Sequence, residues 1–350
     1  RLYAVLADDA RHLLEVAATV VDGDAFDALT PRCPQVHLFE REIAEQFGLR
    51  PAGHPWLKPV RYCRSWTGRD AWNRPADEPI VPAAGDFYKV AGDEVHEVAV
   101  GPVHAGVIEP GHFRFQCGGE EVFHLEIALG YQHRGVEEAL CGGPAARTLP
   151  LIETLSGDAT IAHATAYSHV FEALAGGGAP PRAQALRALA LELERLACHI
   201  GDLGALAGDV GFLPTAIFCG RIRGDFLNMT ALLCGSRFGR GLVRPGGTGF
   251  DVDAARVADL ERRLDAGERD ATVAIRLLLE NQSVLARFEE VGPLPRTVAT
   301  ELGIVGPAAR ASGLDRDSRR DQPLGAWREA AVAVATAEAG DVLARAMIRW

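Results

Sequence analysis

The segment AQALRALALELERLACHIGDLGALA, residues 183–207, most constrains what this chain can fold into. Leucines and alanines recur in it every three or four residues, with charged side chains between them and no proline. That period lays an apolar stripe along an α-helix, whereas a strand alternates its faces every second residue. The run AARVADLERRLDAGERDATVAIRLLLENQSVLARFEE, residues 254–290, repeats the pattern more weakly. Stripes of this kind are buried against one another, so a helical bundle is the expected core.

Ahead of the bundle, HFRFQCGGEEVFHLEI alternates apolar and other residues on both sides of Gly118 and Gly119. This predicts a β-hairpin whose turn needs positive φ. Nearer the start lie two short helical patterns, DARHLLEVAATVV (residues 9–21) and FEREIAEQFGL (residues 39–49); Pro51, Gly53 and Pro55 are expected to end the second. Residues 65–94 are rich in Pro, Gly, Asp and Trp without a sustained period and read as a linker. The expected fold class is α+β: a small α/β domain over 1–64, the linker over 65–94, and a mostly helical bundle domain with an N-terminal β-hairpin over 95–350. A length of 350 residues fits two domains. The chain opens at Arg1 and stops at Trp350 inside the helix-like pattern AVAVATAEAGDVLARAMIRW, so both domains are expected to be truncated at their outer ends.

A formal net charge of -11 argues against a nucleic-acid partner, because phosphate binding is dominated by Lys and Arg. Seven cysteines, an odd number with no C-x-x-C pair, do not read as a disulfide framework or a local metal motif, which points to a reducing, cytoplasmic setting. No apolar run reaches the ~18 residues a membrane helix needs, so a partner would supply any membrane span.

Three polar segments are candidates for chemistry. GPVHAGVIEPGHFRF sets Glu109 between His104 and His112 in a Gly/Pro loop; GYQHRGVEEAL places His133, Arg134, Glu137 and Glu138 at a helix start; GPAARASGLDRDSRRDQP mixes Arg310, Arg316, Arg319 and Arg320 with Asp315, Asp317 and Asp321. By spacing alone, each reads equally as a turn or a solvated ion-pair face. No nucleotide-binding glycine loop and no G-x-S-x-G elbow occurs.

Taken in order, GPVHAGVIEPGHFRF, GYQHRGVE, ELERLACHIGDLGALAGDVGF, RPGG and GIVGPAARASGLDRDSRRDQP resemble the large subunit of energy-converting, membrane-bound nickel-iron hydrogenases and its relative, the 49 kDa subunit of respiratory complex I. The first domain resembles the complex I 30 kDa subunit through FEREIAEQFGLRPAGHPWLKPVRY. In the hydrogenase branch, ETLSGDATIAH corresponds to an element whose two cysteines hold nickel. Ser156 and Ala159 stand at those positions here, while Glu153, Gly157 and His163 still match. A hydroxyl is hard and barely acidic and a methyl cannot coordinate, so the resemblance implies that no nickel-iron centre is held and that no metal ligand remains in this element.

The complex I branch, which lacks the same cysteines, reduces quinone in that cavity. Its quinone-site aspartate corresponds to Asp209, and an arginine near the last iron-sulfur cluster corresponds to Arg147; Leu151 stands where a tyrosine binds quinone, and His104 and His112 are both candidates for the quinone-site histidine. Glu109 resembles a proton-relaying glutamate and Arg310 a cavity-lining arginine. The implied function is an oxidoreductase subunit of NADH dehydrogenase or hydrogenase type, passing electrons from an iron-sulfur partner to a quinone or other acceptor with proton coupling. Glu109, Asp209 and Arg310 would act catalytically, and His104, His112, Arg147 and Ser156 would line the cofactor site. The implied partners are an iron-sulfur subunit and integral membrane subunits, with this chain cytoplasmic at the inner face of the membrane. Two alternatives stand beside this reading: a non-catalytic scaffold of the same complex, and an active nickel-iron hydrogenase rebuilt with thiolates from elsewhere.

Overall fold

The computed structural model describes residues 1–81, 87–104 and 109–350. Parts of the linker (82–86) and of the Gly/Pro loop (105–108) therefore lie outside the described residues. The structure is mixed helix and sheet, with a hairpin ahead of a helix-rich region, as the sequence predicts. The chain divides into two compact units: Arg1–Leu6, Glu15–Gly135 and Glu301–Gly303 form the first, and Ala7–Leu14, Val136–Thr300 and Ile304–Trp350 the second.

In the first unit the strands β1 (Leu2–Asp8) and β2 (Leu13–Thr19) pair as a two-stranded sheet whose tip, Ala7–Leu14, is counted with the second unit. The helix predicted over residues 9–21 is thus a correction: those residues form a turn and a strand. A short apolar run such as LLEVAAT fits either state by period. Here His12 adopts φ 55°, a left-handed conformation that no helix continues, and the Asp8 carboxylate accepts the Arg11 N–H at 3.0 Å to close the turn. A parallel pair follows, β3 (Ala25–Asp27) with β4 (Arg50–Ala52), and between them lies α1 (His37–Phe47).

Helix α1 ends at Gly48, whose φ of 64° lets its N–H reach the Ala44 carbonyl, before the prolines are reached. It also buries charge. Glu40 accepts from Leu29 N, Thr30 N and Thr30 Oγ1, Glu45 accepts from Val60 N, Arg61 N and Cys63 N, and Arg41 donates to the carbonyls of Lys58 and Pro59. The charged residues of FEREIAEQF thus organise two loops by charge-assisted bonds to backbone. Strands β5 (His96–Val100), β6 (His112–Gly118) and β7 (Glu121–Ala128) form an antiparallel sheet, with Gly119 at φ 61° in the β6–β7 turn. This sheet belongs to the first unit, within which Glu126 on β7 accepts from Lys58 Nζ at 2.6 Å and Tyr88 N at 2.9 Å.

The second unit runs through α2 (Val136–Leu140), α3 (Ala145–Ile152), α4 (Thr160–Leu174), α5 (Pro181–Asp209) and α6 (Leu213–Cys234). After a small hairpin, β8 (Val243–Arg244) and β9 (Gly247–Thr248), come α7 (Ala254–Leu279), α8 (Gln282–Phe288), α9 (Arg296–Glu301), α10 (Gly306–Ala311), α11 (Ser318–Asp321) and α12 (Val342–Arg349). The stripe of α5 buries Leu186, Ala190, Leu193, Ala197, Ile200, Leu203 and Ala207 in the core, with Ile222, Phe226 and Met229 of α6 and Ile275 and Leu278 of α7. Each large side chain so buried contributes about 1.5–3 kcal/mol. Helices α5 and α6 approach closely at Gly204, where a Cβ would meet the Cys219 Cβ at 2.9 Å.

The run over 254–290 is two helices, because the Asn281 side chain accepts from Ser283 N and Val284 N and caps a new start. The terminal helix-like pattern is helical only from Val342. Gly340 sits at φ 65° and Asp341 caps Ala344 N at 2.8 Å, which fixes the start two residues after the glycine bend. A buried ion pair places the RPGG turn: Arg187 donates to Glu172 at 2.7 Å and to the carbonyls of Arg244 and Gly247, while Glu172 accepts from Gly246 N. Among the described residues, no helix is long and apolar enough to cross a membrane.

Candidate functional site

The head of α4, where ETLSGDATIAH bends into the helix, is the most chemically loaded part of the second unit. Glu153 is buried; its carboxylate accepts from Gly241 N at 2.6 Å and its carbonyl from Thr160 Oγ1 at 3.1 Å, which ties the element to the loop after α6. Ala159 occupies the N-cap position of α4 and has no side-chain acceptor for the first amides. Glu194, reaching over from α5, replaces the missing cap: its two oxygens accept Ile161 N at 2.7 Å and Ala162 N at 3.0 Å.

A pocket opens beside this contact. Asp158 and Ile161 line it with Glu194 and Cys198 of α5, Arg223 of α6 and Arg237 of the following loop, and its free space admits little more than a water molecule. Cys198 Sγ donates to the Asp158 carbonyl at 3.5 Å, and Arg223 stands 3.7 Å from the Asp158 carboxylate. Burial pushes the Glu194 carboxyl up to about 7; the two amides pull it down, and Asp158 adds to the rise. Burial, with the negative charge of Asp158, Glu194 and Asp202, pushes the Cys198 thiol up to about 12. Ser156 lies half-buried in the same element, and Arg147 is exposed on α3.

Arg310 belongs to a different cluster. It is buried at 8% exposure on α10, donates to the Arg316 carbonyl at 3.3 Å and lies 3.7 Å from Asp317, the N-cap of α11. Asp317 is held in turn by Arg319 at 2.8 Å, and Arg319 reaches Glu192 of α5 at 3.0 Å. Burial opposes ionisation of Asp317, yet the side chain and amide of Arg319, with Arg310, hold its carboxyl at about 2. Burial and the cations Arg195 and Arg349 press His199, next along the α5 face, down to about 4. Asp209 ends α5 and is exposed; fifteen residues from Glu194, it lies about 22 Å along the helix axis from it. Ser156 lies in the element that leads into α4 but does not line the pocket at its head, and neither do Asp209 and Arg310.

In the first unit His104 and His112 both meet Gly101. The His104 ring lies on Phe113 with centroids 6.0 Å apart, and the His112 Nδ1 lies 3.4 Å from the Gly101 carbonyl oxygen. His112 is buried at the start of β6 against Phe87, and its Nε2 accepts from Arg114 at 3.4 Å, while Glu109 is exposed. Glu194 and Cys198 were hidden within a segment legible only as a helix stripe. The available signal was Ala159: a helix beginning on an alanine needs its cap from elsewhere.

Two family models match, described as the respiratory-chain NADH dehydrogenase 30 Kd subunit over residues 2–75 and its 49 Kd subunit over residues 209–350. The chain is 30% identical over 258 residues to a carbon monoxide-induced hydrogenase of Rhodospirillum rubrum, covering 73% of this chain and 71% of that protein. It is 30% identical over 251 residues to an NADH-quinone oxidoreductase subunit of Dehalococcoides mccartyi, covering 71% and 68%. The chain belongs to the family of the complex I 49 kDa subunit and hydrogenase large subunit. A relative from Escherichia coli, formate hydrogenlyase subunit 5, is 30% identical over 336 residues; that match takes in 93% of this chain but 59% of the relative's length. The 30 kDa-type match ahead of the 49 kDa-type match makes this a fused member of the family.

Proposed function

We propose that this chain serves a membrane-associated complex I-like or hydrogenase-related oxidoreductase without a nickel-iron site, passing electrons from an iron-sulfur partner to a quinone or another acceptor with proton coupling. The observation that carries this reading is the donor set at the head of α4. Ser156 and Ala159 offer no thiolate, and Cys198, the thiol that lines the pocket there, is held protonated by burial and by the acids around it. A nickel-iron centre needs several ionised thiolates together, and these residues do not fit one. What the pocket does offer is a carboxyl that exchanges its proton near neutrality.

In this reading the exposed Asp209 passes protons or meets the acceptor and Arg147 faces the electron donor in the second unit, Glu109, His104 and His112 serve proton transfer within the first, and Arg310, held by Asp317 and the Arg316 carbonyl, acts away from the pocket at the head of α4. Relatives named for hydrogenases and for NADH-quinone oxidoreductase support an electron-transfer assembly with partner subunits. Integral membrane partners would hold the chain at the inner face of the membrane. The test is the nickel and iron content of the protein purified with its natural partners. Iron without nickel is expected; nickel near one atom per chain overturns the reading.

One observation favours a second reading, a scaffold whose charged residues serve the fold. The Arg310 guanidinium is already taken by Asp317 and by the Arg316 carbonyl. Asp209→Asn and Glu109→Gln separate the two readings. Loss of acceptor reduction with assembly intact supports catalysis, and unchanged turnover supports the scaffold.

A further inference from the structure

Helix α1 is turned inside out. Its charged and polar residues Glu40, Arg41, Glu45 and Gln46 are all buried, between 2% and 7% exposed. Charge buried in this way is costly unless it is paired, and the loops around residues 29–30 and 58–63 supply the partners through their backbone groups. The apolar residues take the outer face instead. Phe39 is 64% exposed, Leu38 48% and Phe47 38%, and the half-buried Ile43 lies one turn from each phenylalanine. The line runs on into the exposed Trp66, whose N–H donates to the Gln46 carbonyl at 2.8 Å and whose ring meets Phe47 edge-on with centroids 5.3 Å apart. A surface helix ordinarily does the reverse and turns its apolar stripe to the core.

Two arginines stand at the C-terminal end of this line. Arg50 follows the Gly48 bend, and Arg69 packs against it, so that a Cβ on Gly48 would meet the Cβ of Arg69. Both are exposed, and neither pairs with an acid among the described residues. We propose that the Phe39, Ile43, Phe47 and Trp66 face docks a partner subunit through an apolar helix that carries carboxylates at the end meeting Arg50 and Arg69. Apolar side chains four residues apart form a ridge that packs into the grooves of another helix. Aromatic anchors beside arginine are enriched where protein surfaces meet, and two unpaired cations select acids in the occupant. A second copy of this chain would bring a net charge of -11 against -11, and an anionic membrane surface would repel the same charge. Helix α1, eleven residues and about 16 Å long, also falls far short of the roughly 800 Å² that each side of a stable dimer buries, so the strip is one contact within a larger interface. The proposal rests on the proposed function only in taking the chain as one subunit of an assembly; the electron acceptor does not enter it.

The test is hydroxyl-radical labelling of the wild-type chain, alone and in the complex purified with its natural partners. Oxidation of Phe39, Phe47 and Trp66 is expected to slow about tenfold in the complex. Equal rates in the two samples overturn the proposal and need no variant. Arg50→Lys followed by carbodiimide coupling identifies the occupant: a cross-link from that side chain to an Asp or Glu of a partner subunit supports the proposal. A cross-link to a second copy of this chain overturns it, and so does slowed oxidation of the chain alone on vesicles containing phosphatidylglycerol. Phe39→Ala should leave the melting temperature of the isolated chain unchanged and weaken partner binding about thirtyfold. Nickel content, which decides the proposed function, is read from the same complex. Slowed oxidation in a complex that holds nickel keeps the docking surface and discards that function; equal oxidation in a complex without nickel does the opposite.

Discussion

Glu194 and Asp317 are acids in the same unit, both near α5, and the fold drives them in opposite directions. Glu194 is surrounded by backbone amides, an aspartate and a thiol, and burial lifts it to about 7. Asp317 is buried as well, yet the guanidiniums of Arg319, Arg310 and Arg195 all stand within 4 Å, and its carboxyl is held at about 2. Burial alone therefore does not decide the charge state of an acid here; the nearest countercharge does. The head of α4 is left free to exchange protons, while the α10–α11 cluster is locked as a permanent ion network.

The largest expected effect tests the locked side. Asp317→Asn strips the buried Arg310 of its countercharge, leaves the half-buried Arg319 with Glu192 alone, and should cost about 3 kcal/mol of unfolding free energy, read from the denaturant midpoint of the full chain. A cost below about 1 kcal/mol would mean that solvent already screens the cluster.

The pH dependence of stability comes next. A carboxyl raised above its ordinary 4.5 stabilises the fold fully below 4.5 and loses that contribution as pH rises to about 7, while Asp317, lowered below 3.8, contributes fully above 3.8 and loses its contribution as pH falls toward 2. Between pH 4.5 and 7, Glu194 should therefore lower stability by about 2 kcal/mol, a slope that Glu194→Gln removes. Should the slope persist in that variant, another group carries it.

The smallest effect concerns Cys198. With its thiol pushed to about 12, it should react with an alkylating reagent at pH 8 far more slowly than the exposed Cys141, and Cys198→Ser should change stability by less than about 1 kcal/mol. Fast labelling of Cys198 would restore a usable thiolate to the pocket.

Much of the fold was legible because strong local periods survive packing. The stripe of α5 appears in the core residue by residue, and Gly118 and Gly119 do mark the hairpin turn. Residues 9–21 read as helix by period because short apolar and small residues fit either state, and a left-handed His12, which no propensity announces, decides for the strand. The site was less legible. Ser156 and Ala159 could be found by motif, but Glu194 lies 33 residues from the amide it caps, a separation at which sequence carries no distance information.

By itself, the sequence determined the family, the order of its two family matches, the long helices and the fact that Ser156 and Ala159 offer no thiolate, because each rests on local pattern or residue chemistry. Only the tertiary structure decided which acids are locked and which can exchange a proton. That choice depends on burial and on the nearest charge in space, and neither can be read from neighbours along the chain.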